Sequence, residues 1–211
     1  PVNPAGIAFY DRLIDTLLAQ GISPAVTLYH WDLPQALEDA GGWPARDTAH
    51  RFADYAALVH AALADRVDLW TTLNEPWCSA HLGYWSGIHA PGRTEPGNAM
   101  AAMHHLLLGH GLAVQAMGAG ARPKQQLSIT LNVWPILPAT ESIEDVAAAH
   151  LLDGFMNRLY LDPVLRGVYP EDVIGATEGL TDWGFVQPGD LSVISAPTTT
   201  TSRIASGGEV T

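Results

Sequence analysis

The sequence is poor in basic residues and in cysteine. It has 10 Lys and Arg residues against 22 Asp and Glu residues in 211, which gives a net charge of −12. This charge argues against a nucleic-acid partner and against a basic face that binds an anionic membrane. The single cysteine, Cys78, cannot form a disulfide within the chain.

Long apolar runs are also missing. None approaches the roughly 18–20 residues of a membrane span, so no membrane partner is predicted. The first six residues lack the basic and apolar regions of a signal peptide. A lone cysteine suits a reducing compartment or carries no information about location, and a cytoplasmic location is the default prediction.

Motifs for cofactors and metals are not found in the sequence. It contains no phosphate-binding glycine loop, nucleotide fingerprint or zinc-ligand spacing, so no cofactor and no metal site are predicted. His104, His105 and His110 share one predicted helix, but their spacing does not bring them to one face. Cys78 has no cationic neighbour in sequence that would activate its thiol.

What the sequence does have is an alternation of helical and strand-like segments. Apolar residues at helical spacing predict four helices, and short apolar runs predict three strands between them. No hairpin signal separates the strands, so parallel βαβ units are expected. The predicted helices are Phe9–Gln20, Asp47–Ala64, Ala99–Met117 and Ser142–Leu159, and the strands are Ile22–Tyr29, Val67–Trp70 and Gln126–Val133.

Three further predictions concern local structure. Phe9, Leu13, Leu17 and Leu18 form the stripe on the first helix that should face the core. Residues 78–97, rich in glycine, proline and aromatic residues, are predicted to be a long loop. The Asp162-Pro163 pair is predicted to be a turn.

Polar and aromatic side chains follow each predicted strand. His30 and Trp31 follow the first strand, Asn74 and Glu75 the second, and Asn132 ends the third. The carboxyl ends of parallel strands share one edge of a sheet, where functional groups collect. A carboxyl group among amides, imidazole and indole suits sugar binding and the cleavage of a glycosidic bond.

Several longer motifs carry a resemblance to a known family. The chain resembles family 1 glycoside hydrolases, particularly their β-glucosidases, from residue 1 to about residue 197. The motifs are TLYHWDLPQ, GGWP, WTTLNEPW, the spaced GY…G…APG series after residue 82, and HHLLLGHG.

The resemblance implies an α/β fold, a partial (β/α)8 TIM barrel that covers roughly the third to fifth βα units. It implies retaining hydrolysis of β-glucosides or small oligosaccharides, with Glu75 as the general acid/base. Asn74 matches the residue that binds the sugar 2-hydroxyl, and His30 and Trp31 match the wall around the glycone. Asn132 matches an asparagine near the catalytic centre.

Parts of the family pattern are not found. The strand that carries the catalytic nucleophile is missing, and Thr177-Glu178-Gly179 only echoes its motif from a predicted loop. Residues 1–197 are therefore predicted to be an incomplete glycosidase domain. Residues 198–211 are predicted to be an atypical polar tail, disordered or frame-shifted, that supplies no buried strand. The alternative function is an inactive or sugar-binding fragment, which could self-associate through open sheet edges.

Each site residue also has a structural interpretation. Glu75 could cap a loop, His30 could be a hydrogen-bonded structural histidine, and Asn132 could tie loops together. Asp32 is interpreted as structural rather than catalytic. Trp43, Trp70 and Trp183 are the tryptophans most expected in the core.

Overall fold

A computed structural model gives the fold of residues 2–195 and the backbone of residues 203–206. Four parallel strands form one sheet in the order β1-β2-β3-β4, and helices connect the first three. The strands are β1 (Ala25–Tyr29), β2 (Leu69–Asn74), β3 (Gln126–Leu131) and β4 (Arg203–Ser206).

Eight α-helices and two π-helical segments occur among the described residues. The α-helices are α1 (Pro4–Ala19), α2 (Gln35–Asp39), α3 (Arg46–Leu63), α4 (Pro96–Gly118), α5 (Ile143–Asp153), α6 (Leu159–Arg166), α7 (Glu171–Ala176) and α8 (Asp190–Ile194). The π-helices are Cys78–Trp85 and Gly154–Arg158. No helix of the described residues has both the length and the apolar character needed to cross a membrane.

The core lies between the sheet and helices α3 and α4. Trp70 and Leu73 of β2 and Leu127 and Ile129 of β3 are fully buried, as expected for parallel strands covered on both faces. Helices α3 and α4 approach closely at Gly109, where an added Cβ would lie 3.3 Å from the Phe52 ring. Trp43 and Trp70 belong to this core, which confirms the prediction for these two tryptophans. Trp183 is half-buried and only packs against the core, as Trp77 and Trp85 do.

The predicted alternation of helices and parallel strands is confirmed, but four local predictions are wrong. The first concerns α1, which begins at Pro4 because the Asn3 side chain accepts hydrogen bonds from the backbone N–H groups of Ala5 and Gly6. The predicted inward stripe is largely exposed, with Phe9 at 54%. Ile14, beside that stripe, is the buried residue.

The second and third errors concern helices. The predicted loop at residues 78–97 begins with the π-helix Cys78–Trp85. The predicted turn at Asp162-Pro163 lies inside α6. A proline removes the N–H donor for the carbonyl four residues earlier, and here that residue is Leu159, where π-helical spacing changes to α-helical.

The fourth difference concerns the tail. Residues Arg203–Ser206 pair in parallel with β3, in the register Ile129 to Ile204, although the polar sequence predicts no strand there. Backbone N–H and C=O groups at a sheet edge can pair with any extended segment, whatever its side chains. The rest of the predicted tail, residues 198–202 and 207–211, lies outside the described residues.

Candidate active site at the carboxyl ends of the strands

The predicted site residues lie at neighbouring strand ends. The indole Nε1–H of Trp31, after β1, donates a hydrogen bond to the Asn74 carbonyl oxygen at 2.9 Å. The backbone N–H of Glu75 donates to the Thr130 carbonyl of β3, also at 2.9 Å. These two bonds tie the ends of β1, β2 and β3 together.

The backbone at these strand ends is strained. Trp31 has φ of 77° and Glu75 has φ of 46°, which is the left-handed region that bulky residues rarely adopt. Between Thr71 and Asn74 the β2–β3 register also shifts: Thr71 pairs with Ser128, but Asn74 pairs with Thr130. Such a bulge redirects the side chains that follow it, so the backbone itself aims Asn74 and Glu75. Strain of this kind clusters at functional sites.

Glu75 is partly buried, and Leu73, two residues before it on β2, is fully buried. The Oε2 of Glu75 accepts a hydrogen bond from the Cys78 thiol at 3.3 Å. Burial, this hydrogen bond and the nearby carboxylate charge raise the pKa of the Cys78 thiol to about 12. The prediction that the thiol is not activated agrees with this shift.

An exposed aromatic wall stands beside the β1 end. The His30 ring lies 5.0 Å from the Trp31 ring, edge to face, and the Trp31 ring lies 5.2 Å from that of His89. Asp32 accepts a hydrogen bond from the His30 backbone N–H at 3.4 Å, which fits its structural interpretation. His89 cannot be recognised as a site residue from the sequence, because a histidine in a predicted loop belongs to no periodic pattern or motif.

A second aromatic group follows Glu75 on the first π-helix. His81 stacks between Trp77, at 4.7 Å, and Trp85, at 5.6 Å, with near-parallel rings. Trp77 also meets Trp134 edge to face at 5.4 Å. Burial lowers the pKa of His81, so its ring is neutral between the two indoles at neutral pH. The i, i+4, i+8 spacing would reveal this column if a helix were predicted here.

Asn132 is buried after β3, with its Nδ2 4.0 Å from the Cys78 sulfur. It therefore joins the site through Cys78. The three sequence-predicted elements, after β1, β2 and β3, are thus brought to one edge of the sheet.

The other candidate groups lie apart from this edge. Thr177 caps α7 and its hydroxyl accepts the Trp183 indole N–H at 2.9 Å, while Glu178 is exposed in the following turn. His104 is fully buried between Tyr169 and Asp190. Among the residues that the structure describes, no three His, Cys, Asp or Glu side chains cluster to hold a metal ion.

Comparison with known proteins identifies the family of this chain. The profile of glycosyl hydrolase family 1 matches residues 1–200. The chain belongs to glycosyl hydrolase family 1. Its structure is part of the (β/α)8 barrel of that family, as the solved relatives show.

Two curated family 1 relatives illustrate the similarity. The bifunctional β-D-glucosidase/β-D-fucosidase of Bifidobacterium breve is 49% identical over 199 residues, which are 92% of this chain and 42% of that protein. The thermostable β-glucosidase B of Thermobispora bispora is 51% identical over 198 residues, which are 93% of this chain and 40% of that protein. This family 1 chain thus spans about two fifths of the length of these relatives.

Solved structures of the family give the same proportion. The psychrophilic β-glucosidase BglU of Micrococcus antarcticus has a TM-score of 0.91 and 50% identity, over 94% of this chain and 42% of that one. The virulence factor SghA of Agrobacterium tumefaciens, solved with its substrate analogue salicin, has a TM-score of 0.89 and 44% identity. That match covers 94% of this chain and 43% of SghA.

Proposed function

We propose that this chain carries the acid/base part of a retaining β-glucosidase site, with Glu75 as the general acid/base. The proposal rests mainly on the position of Glu75. This partly buried glutamate follows the carboxyl end of β2, where a bulge and a left-handed backbone conformation set the direction of its side chain. The β-glucosidase names of its relatives support the substrate class.

The proposed reaction uses Glu75 twice. In the first step its carboxyl proton passes to the glycosidic oxygen, the bond from that oxygen to the anomeric carbon breaks, and a second carboxylate, the nucleophile, bonds to the anomeric carbon. In the second step the Glu75 carboxylate accepts a proton from the water that attacks the anomeric carbon, and the bond to the nucleophile breaks. The proton returns to the carboxylate, so the group is restored after each turnover.

A retaining mechanism also needs a carboxylate nucleophile about 5–5.5 Å from the acid. Asp32 is the other acidic side chain close after a strand in the described part of the chain, and it bonds to the backbone of its own loop. The nucleophile is therefore not assigned to a residue of this chain.

We propose sugar-binding roles for the remaining strand-end residues. The exposed Trp31 face can stack on the apolar side of a pyranose, and His30 beside it can hydrogen-bond a hydroxyl. Asn74 offers an amide next to Glu75 for the sugar 2-hydroxyl. Asn132 would act from deeper in the site, through its contact with Cys78.

Leaving-group dependence tests the role of Glu75. The protein is assayed with nitrophenyl β-glucoside, whose leaving group needs little protonation, and with an alkyl β-glucoside, whose leaving group needs much. Glu75→Gln should lower kcat/KM for the alkyl substrate by about 10²–10⁴-fold, the usual worth of a general acid. The loss for the nitrophenyl substrate should be smaller.

Glu178→Gln is the matched control, because Glu178 is an exposed glutamate in the turn that echoes the nucleophile motif. It should leave both rates unchanged. Equal losses on both substrates in Glu75→Gln would overturn the acid role. Sugar binding without any turnover in the wild type would favour the alternative, a catalytically incomplete sugar-binding fragment.

Two further proposals concern context. The β1 edge is open in the described residues, and Ala25 and Thr27 on it are exposed, so we propose that copies can associate through it. An elution volume in gel filtration that does not depend on protein concentration would contradict this.

The unpaired, buried Cys78 also fits a cytoplasmic location, which fractionation of the native host tests.

A further inference from the structure

The thiol of Cys78 forms a hydrogen bond with the Glu75 carboxylate. Cys78 is the first residue of the π-helix and only 6% exposed. Its backbone N–H donates to the Glu75 carbonyl oxygen at 2.9 Å, and its thiol donates to Glu75 Oε2 at 3.3 Å. One residue therefore holds both the backbone and the carboxylate of Glu75.

A second contact ties Cys78 to the neighbouring strand end. The Nδ2 of the buried Asn132, just after β3, lies 4.0 Å from the Cys78 sulfur. Asn132, Cys78 and Glu75 thus form a short chain of polar contacts from the end of β3 to the end of β2. The Glu75 N–H bond to Thr130 joins the same two strands through the backbone.

We propose that Cys78 is a positioning residue for Glu75: its thiol hydrogen bond holds Oε2, so that Oε1 is the oxygen that exchanges a proton with the substrate. Within the described residues, Cys78 provides the one side-chain hydrogen bond to the Glu75 carboxylate. Without it the carboxylate could rotate about its terminal torsion, which is broad and roughly two-fold.

The chemistry of the thiol suits this role better than that of a nucleophile. Because burial and Glu75 raise the pKa of Cys78 to about 12, the sulfur keeps its proton at neutral pH. A thiol is a weak donor, so it can restrain the carboxylate while Glu75 alternates between acid and base. The functional consequence rests on the proposed role of Glu75, whereas the hydrogen bond itself does not.

The single cysteine makes the bond directly measurable, because the protein contains one S–H group. The S–H stretching band, measured by infrared or Raman spectroscopy, should lie below that of a free cysteine peptide. Glu75→Gln replaces the carboxylate with a weaker acceptor and should move the band toward the free value. Glu178→Gln should leave it in place.

Positioning is tested on Glu75 itself in protein with ¹³C-labelled glutamate. The Glu75 carboxyl signal, assigned by its loss in Glu75→Gln, should move toward those of exposed glutamates in Cys78→Ala. Cys78→Ser keeps a donor and should hold the signal near its wild-type position. If Cys78→Ala moved the Glu75 signal only because the packing around residue 78 changed, a hydroxyl donor in Cys78→Ser would not restore the signal to its wild-type position.

Either of two results would overturn the proposal. One is a wild-type S–H band at the free frequency or unmoved by Glu75→Gln, which needs no cysteine variant to fold. The other is a Glu75 signal that is the same in Cys78→Ala, Cys78→Ser and wild type. Both readouts are independent of turnover, so an inactive wild type would contradict the proposed function without deciding this inference.

Discussion

Replacing Asp190 with asparagine should destabilise the protein more than any surface charge change of the same kind. Asp190 begins α8, and its side chain is 5% exposed. Arg46 donates two hydrogen bonds to it, at 2.5 and 2.7 Å, and His104 and the Gln187 backbone N–H lie 2.9 Å away. The carboxylate therefore ties α8 to α3 and α4.

Burial alone would raise the pKa of Asp190, but the hydrogen bonds from Arg46, the Gln187 N–H and His104 outweigh it and hold the pKa well below its usual range. Asparagine would keep one acceptor oxygen but would turn the other into an NH₂ donor that faces Arg46 or His104. The positive charge of Arg46 would then lack its partner.

Breaking a buried ion pair by removing one partner costs about 3–5 kcal/mol. The Arg46 side chain is 27% exposed, so water can replace part of the lost interaction, and we expect about 2–3 kcal/mol. At an m-value of about 2–3 kcal/mol per molar urea, the midpoint should fall by about 1 M. The melting temperature should fall by about 4–12 °C.

Urea unfolding followed by tryptophan fluorescence measures this loss. Asp47→Asn is the matched control, because Asp47 pairs with Arg51 on the surface, where the two side chains are 67% and 58% exposed. It should cost at most about 0.5 kcal/mol. If Asp190→Asn costs no more than Asp47→Asn, the buried pair is not what holds α8 in place.

Three more predictions follow from burial and packing. Burial lowers the pKa of His105 and His110 to about 4, against about 6.5 unfolded, so their contribution to stability is complete above pH 6.5 and is lost as pH falls toward 4. The melting temperature should decline between pH 7 and 4.5, and a constant value would contradict this. The Cys78 thiol, with its raised pKa, should resist alkylation at pH 8 until urea unfolds the chain, and rapid native labelling would contradict its burial. Gly111→Ala should destabilise by about 1–3 kcal/mol, because its Cβ would overlap the Val193 carbonyl. Gly118→Ala in the same helix, with open space around it, should instead stabilise by about 0.5–1 kcal/mol; equal effects would refute the contact.

The sequence predicts the sheet well because its information is local there. Apolar runs followed by polar residues and prolines mark β1 and β2. β1 ends at Tyr29, as predicted, whereas β2 continues beyond the predicted Trp70 to Asn74, just before Pro76. Because parallel strands have their carboxyl ends at the same edge of the sheet, the side chains that follow the strands lie at that edge. The sequence by itself is therefore enough to place Asn74 and Glu75 together at that edge.

The errors arise where the pattern does not determine the outcome. α1 is apolar over much of its surface, so periodicity cannot tell that Ile14, rather than Leu13, faces the core. The π-helix at Cys78–Trp85 differs from a loop or an α-helix in hydrogen-bond spacing, with the Ser86 N–H reaching His81 five residues back. That spacing leaves no mark in composition, and so the sequence does not reveal the Trp77–His81–Trp85 column.

The candidate site has two parts that depend on different strands: Glu75, which is held between β2 and β3, and the pair His30 and Trp31, which follows β1. Glu75 is fixed by Thr130 of β3 and by Cys78 of the π-helix, all of which lie inside the described sheet and the helix that follows it. The wall of His30 and Trp31 stands at β1, the open edge, and both residues are exposed. Since bonds between β2 and β3 set the geometry of Glu75, we expect that geometry not to depend on what lies beyond β1. The arrangement of His30 and Trp31 should depend on it, because β1 is the edge strand among the described residues.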